Sequence, residues 1–141
     1  MNVIAFEPCH VYAIDPQPSQ VQWVGWFTPQ YLENLSRMGP AYTALVDGRI
    51  MGCAGIIDSG FSSGLLWALV HKEARPHFVP MFRAVERLVH LIPLRRIEAT
   101  VEKGFRPGCR ALELLGFTCE GLMKKYGPDG QDHYRYAHVS S

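Results

Sequence analysis

The stretch from Leu65 to Glu102 constrains the fold more than any other. Leu65 to Val70 is an almost wholly apolar run, short enough for a strand buried on both faces. Phe78 to Ile92 places Phe78, Phe82, Val85, Leu88, Val89 and Ile92 at helical spacing. Arg83, Glu86, Arg87 and His90 occupy much of the other side. Pro93 ends this helix, and Phe78 opens its apolar stripe. Arg96 to Glu102 then alternates strictly. Ile97, Ala99 and Val101 face one way, and Glu98, Thr100 and Glu102 the other. A strand, a helix and a strand in this order make a right-handed parallel crossover.

Hairpins flank the crossover. Asp47-Gly48 lies between two β-prone runs, Ala41 to Val46 and Arg49 to Ile57, a strong turn signal. Ser59 to Gly64 reads as a loop. Pro107 to Leu115 is a short helix with proline near its start and Gly116 as its stop. Phe117 to Tyr126 and Asp132 to Val139 form a closing hairpin around Gly127-Pro128-Asp129-Gly130-Gln131. Near the beginning, Val3 to Phe6 and Val11 to Ile14 are each eligible as a first strand. Pro29 divides Val21 to Met38 into two short helices, and Gly39-Pro40 closes that region. The fold class is therefore α/β. A mixed, mostly antiparallel sheet surrounds one parallel strand-helix-strand crossover, with helices on both faces.

At 141 residues the chain suits one domain, 1–141, with one core; there is no repeat, low-complexity segment or linker. Hydrophobic residues at 48% and charged residues at 19% are globular values. With 14 basic and 13 acidic residues, the charge leaves no footprint for nucleic acid or an anionic membrane. No apolar run approaches the roughly 20 residues a membrane span needs. Met1 to Val11 lacks the pattern of a signal peptide. Cys9, Cys53, Cys109 and Cys119 are scattered, as expected of reduced thiols in a cytoplasmic protein.

Ala111-Leu112-Glu113-Leu114-Leu115-Gly116-Phe117, followed by a strand, resembles the helix and Leu-Gly-Phe turn of the GNAT acetyltransferase superfamily. The Asp47-Gly48 hairpin leading into Gly52-Cys53-Ala54-Gly55 is similar to that family's second and third strands. The resemblance covers residues 41–139 well and the first forty weakly. A narrower resemblance rests on three stretches: Arg95-Arg96-Ile97-Glu98-Ala99-Thr100-Val101, Leu115-Gly116-Phe117 with Glu120-Gly121, and Tyr126-Gly127-Pro128-Asp129-Gly130. They look like a group of small phage and prophage proteins that includes GNAT-like internal virion or head-assembly proteins of short-tailed phages. That implies a place in the bacterial cytoplasm or the virion, with phage or host protein partners.

The GNAT resemblance implies acetyl-CoA as cofactor. The pantetheine arm would pair with the exposed edge of the fourth strand, here Ala68, Leu69 and Val70, and the N–H of Leu69 or Val70 would polarise the thioester. The pyrophosphate would sit on N–H groups at the start of the next helix. The family loop there is Gln/Arg-x-x-Gly-x-Gly/Ala. This chain has Arg75-Pro76-His77-Phe78-Val79-Pro80. Arg75 fits, but Phe78 crowds the backbone and Pro80 removes a donor. Arg75, His77, His71 or Lys72 would have to compensate. Leu112 stands where many family enzymes carry an acidic tyrosine, and Phe105 and Arg106 occupy the region of a common asparagine. Tyr126 and Tyr134 remain as eligible acids.

Glu98, on the polar side of its strand, is the candidate general base. A strand with one open face explains its place better. The six histidines show no clustering with cysteines or carboxylates at metal-ligand spacing, so no metal is expected, and His133 and His138 should point to opposite faces. Trp23, Trp26 and Phe27 are either core or a partner surface.

Two readings follow. One is a GNAT-fold protein with a degenerate acetyl-CoA site and a non-catalytic assembly or protein-binding role. The other is an acetyl-CoA-dependent N-acetyltransferase acting on an amine, in which the fold mainly orients the reactants. The oligomeric state stays open.

Overall fold

In the computed structural model, which describes residues 1–140, seven strands form one sheet in the order β1-β2-β3-β4-β5-β7-β6. The strands are β1 (Asn2–Ala5), β2 (Ala41–Val46), β3 (Arg49–Gly60), β4 (Ser63–Val70), β5 (Arg96–Glu102), β6 (Thr118–Met123) and β7 (His133–Val139). Every neighbouring pair is antiparallel except β4 and β5. Four α-helices complete the fold: α1 (Val21–Val24), α2 (Pro29–Arg37), α3 (Phe78–Leu91) and α4 (Arg106–Leu114). No helix among the described residues is long and apolar enough to cross a membrane.

Two apolar layers sandwich the sheet. On one face Val89 of α3 and Leu112 of α4 pack with Ile97, Ala99 and Val101, the inward residues of β5. On the other, Leu32 and Leu35 of α2 pack with Phe6, Val11, Ile14, Cys53 and Leu69. Thr28 caps α2 by accepting from the Tyr31 N–H at 3.1 Å, and Pro29 fits the first turn, where its missing N–H costs nothing.

Several expectations are corrected. Only Asn2–Ala5 is a strand; Pro8–Ala13, which includes Val11, winds into a 3-10 turn behind Pro8. Ser59 to Gly64 is not an open loop. β3 runs to Gly60, and β4 starts at Ser63 after a two-residue turn with Phe61 and Ser62 at φ of 57° and 60°. The Asp58 carboxylate and the Ser59 hydroxyl brace that turn. β4 is not buried on both faces throughout: Ala68 is exposed, because β5 has left its side by then. Phe78 is 41% exposed, since core contact along α3 begins at Phe82, one turn later.

Candidate functional site in the split between two parallel strands

β4 and β5 pair only at Ser63, Gly64 and Leu65. Beyond that point β5 follows β7 along its whole length, while β4 follows β3. The two strands diverge and leave one edge of β4 without a strand partner. Alternation in the β3–β4 ladder turns the backbone groups of Ala68 and Val70 toward this gap and those of Leu69 toward β3.

The gap is filled by the chain itself. The Gln20 amide donates to the Ala68 carbonyl at 2.7 Å and accepts from the Val70 N–H at 2.8 Å. It satisfies the edge of β4 as a peptide unit of another strand would. The Gln17 N–H donates to the Val70 carbonyl at 3.0 Å, Pro16 bridges His71, and the Lys72 N–H donates to the Asp15 carbonyl at 2.8 Å. Asp15 to Gln20 therefore runs as a strap along the free edge. No residue from 15 to 31 is buried, whereas Ile14 before the strap and Leu32 after it are. Full burial of such a side chain stabilises by about 1.5–3 kcal/mol, so the strap is anchored at its ends and held between them by polar contacts. An open depression of about 350 Å³ lies beside it, lined by Pro18, Ser19, Glu102, Gly104 and Phe105.

The Asp15 carboxylate pairs with the Lys72 ammonium at 2.6 Å. The Lys72 hydrogen bond holds the Asp15 carboxyl below its ordinary 3.8 and raises Lys72 above its ordinary 10.5. The Asp15 contribution is present above the unfolded value and lost as pH falls through the folded one. The Lys72 contribution is present below 10.5 and lost as pH rises through its raised value. In an NMR titration the Gln17 and Lys72 amides are expected to move together in acid, as the Asp15 carboxylate takes up its proton. A Lys72→Met variant should lose this joint response.

The start of α3 offers few donors. Arg75 to His77 forms a 3-10 turn, whose closing bond takes the Phe78 N–H to the Arg75 carbonyl. The His77 N–H is spent on the Ala74 carbonyl at 2.8 Å. Pro76 and Pro80 have no N–H. Arg75 is exposed and His77 half-buried, and neither side chain hydrogen-bonds within the described residues.

Glu98 does lie on the polar side of β5, but both its oxygens are engaged. Arg96 Nε donates to one at 2.8 Å and Arg135 to the other at 2.7 Å. Arg96 also pairs with Glu120. Two guanidiniums fix this carboxylate in an ion-pair network on the sheet rather than aiming it at a substrate. Tyr126 sits in the β6–β7 loop. Its ring packs against Trp23 and His133, at centroid distances of 6.1 and 5.6 Å, with Arg135 above it at 5.8 Å. Glu98 and Tyr126 are thus linked through Arg135 on the far side of β5 from the apolar crossover core. His133 is buried under Trp23 and His138 meets His90 on the opposite face, as the register requires. The aromatic trio divides: Trp23 packs inward, Phe27 stacks on Tyr31, and Trp26 is 65% exposed.

No protein-family model matches the sequence, and no curated protein matches it. Solved structures do. A ribosomal-protein-alanine N-acetyltransferase from Brucella melitensis superposes with a TM-score of 0.75 at 17% identity, covering 99% of this chain and 100% of that one. A GNAT-family acetyltransferase from Streptococcus pneumoniae gives 0.66 at 17% identity, covering 99% of both chains. A spermidine N-acetyltransferase variant from Vibrio cholerae gives 0.67 at 14% identity, covering 99% and 95%. The chain has the GNAT fold. The strap therefore lies along the edge where the GNAT resemblance would place the pantetheine arm, and Gln20 holds the Val70 N–H, one of the two, with that of Leu69, that the resemblance would give to the thioester. The β4 edge is taken by Gln20 and Gln17, and Pro76 and Pro80 thin out the N–H donors at the start of α3. Leu112, at the position of the family acid, is buried in the core. Gln20 carries no signal in the sequence because it bonds to residues 48 and 50 positions away, and a lone glutamine among prolines has no chemical mark.

Proposed function

We propose that this is a GNAT-fold, acetyltransferase-like protein with a degenerate acetyl-CoA site, which acts by binding another protein rather than by acyl transfer. The observation that carries this reading is Gln20 seated on the β4 edge. Phe78, Pro80, Leu112 and the engaged Glu98 support it, because each removes a different requirement of the reaction. The resemblance of residues 95–101, 115–117 and 126–130 to small phage proteins supports a role in assembly, in the host cytoplasm or the virion, with a phage or host protein as partner. Trp26 is the exposed aromatic best suited to such a contact.

The competing reading is an N-acetyltransferase of an amine, with Glu98 and Tyr126 in the chemistry and Ala68, Leu69, Val70, Arg75 and His77 at the cofactor. The retained split between β4 and β5 favours it. Isothermal titration with acetyl-CoA and with CoA separates the two. No heat is expected from the native chain at millimolar cofactor. Micromolar binding would overturn the proposal and require an amine screen with Glu98→Gln as control.

A further inference from the structure

We infer that Glu7, Cys9 and His10 form a binding site for a borderline divalent metal ion, Zn²⁺ in the first instance. Sequence spacing shows no such cluster, because the three residues fall within four positions, far tighter than the paired ligand spacings of familiar zinc sites. The fold creates it. Pro8 starts a 3-10 turn, in which residues three apart eclipse, so Glu7 stands over His10. The Glu7 carboxylate lies 3.5 Å from His10 Nε2, and the Cys9 thiol completes a set whose donor atoms all lie within 4.8 Å of one another.

The imidazole is the fixed member. His10 is 8% exposed, and its Nδ1 lies 2.7 Å from the hydroxyl of Thr43, which is fully buried on β2. That hydroxyl meets the Cys53 thiol at 3.4 Å, and burial pushes this thiol up to about 11, so it stays protonated as a hydrogen-bond partner. With its proton on Nδ1, His10 donates to Thr43 and leaves the Nε2 lone pair 3.5 Å from the Glu7 carboxylate. A ring nitrogen tied to a second group, with the other turned to the ion, is how metal-binding histidines are oriented. In the alternative tautomer, Nδ1 accepts the Glu7 N–H at 3.2 Å and Nε2–H faces the carboxylate. Metal binding selects the first tautomer and releases the thiol proton of Cys9.

Glu7 and Cys9 are exposed, so rotation of their side chains closes the set to the ~2.0–2.3 Å ligand distances of zinc. Thiolate and carboxylate together neutralise a divalent charge. The sulfur, nitrogen and oxygen donors suit zinc over magnesium or calcium, and three protein ligands leave a fourth position to water.

Cobalt titration of the full chain tests this. A thiolate-to-cobalt charge-transfer band and tetrahedral d–d bands are expected, displaced by Zn²⁺, with protons released on binding. Cys9→Ser should abolish the charge-transfer band, whereas Cys119→Ser, at another exposed cysteine, should keep it. Glu7→Gln should weaken binding. Because His10 is buried and its replacement risks the fold, the test uses the exposed Cys9 and Glu7. Absence of the thiolate band in the native chain, or its persistence in Cys9→Ser, overturns the site.

Discussion

Replacing Gln20 with alanine is expected to release the edge of β4 while leaving the fold standing. The substitution removes both bonds that hold the strap's amide to Ala68 and Val70, and it disturbs no buried apolar group. Two hydrogen bonds worth about 0.5–1.5 kcal/mol net each amount to about 1–3 kcal/mol, or roughly 5- to 150-fold in local opening. Hydrogen exchange at the Val70 amide reads this directly, since its bond runs to Gln20. The Cys53 and Leu69 amides, inside the β3–β4 ladder, should keep their protection. Unchanged exchange at Val70 would show that the strap is held by its ends alone. Repeating the cofactor titration on this variant then separates two causes of silence. If CoA binds once the edge is free, occupancy was the obstacle. If it still does not, the missing donors near Pro76 and Pro80 are.

Gly39→Ala is expected to be the most damaging single change away from the strap. Gly39 has φ of 151°, and an added Cβ would stand 1.9 Å from the Ile56 carbonyl oxygen. The obstacle is backbone, fixed because Ile56 N–H donates to Pro40 and Asp58 N–H donates to Met38 on either side. Neither partner can retreat without breaking the β2–β3 seam. The expected loss is about 3 kcal/mol, near 10 °C in Tm for a chain of this size. Gly130→Ala is the control: its φ is 86°, but nothing lies within 4 Å of the added Cβ, so about 1–2 kcal/mol is expected. Equal losses in urea melts would mean that the seam yields and that the clash is not the cause.

The sequence alone determined the crossover, the two hairpins and their order. Those signals are local: alternation in Arg96 to Glu102, helical spacing from Phe78 to Ile92, and Asp47-Gly48 between apolar runs each report their own segment. With the GNAT resemblance it also raised the expectation that Leu112 and Pro80 lack groups that family positions supply, because a missing hydroxyl or N–H is visible in the residue itself. What only the tertiary structure decided are the contacts between distant or differently wound segments. The strap reaches β4 across some fifty positions through a side-chain amide. Arg135 on β7 closes on Glu98 from another strand. The 3-10 turn brings Glu7 over His10, and Thr43 from β2 fixes the ring. Hydrophobic patterning specifies which face of an element is buried, but it carries no information about which polar partner a loop side chain finds. That choice is made when the packed sheet leaves an edge of β4 unpaired and the neighbouring strap satisfies it.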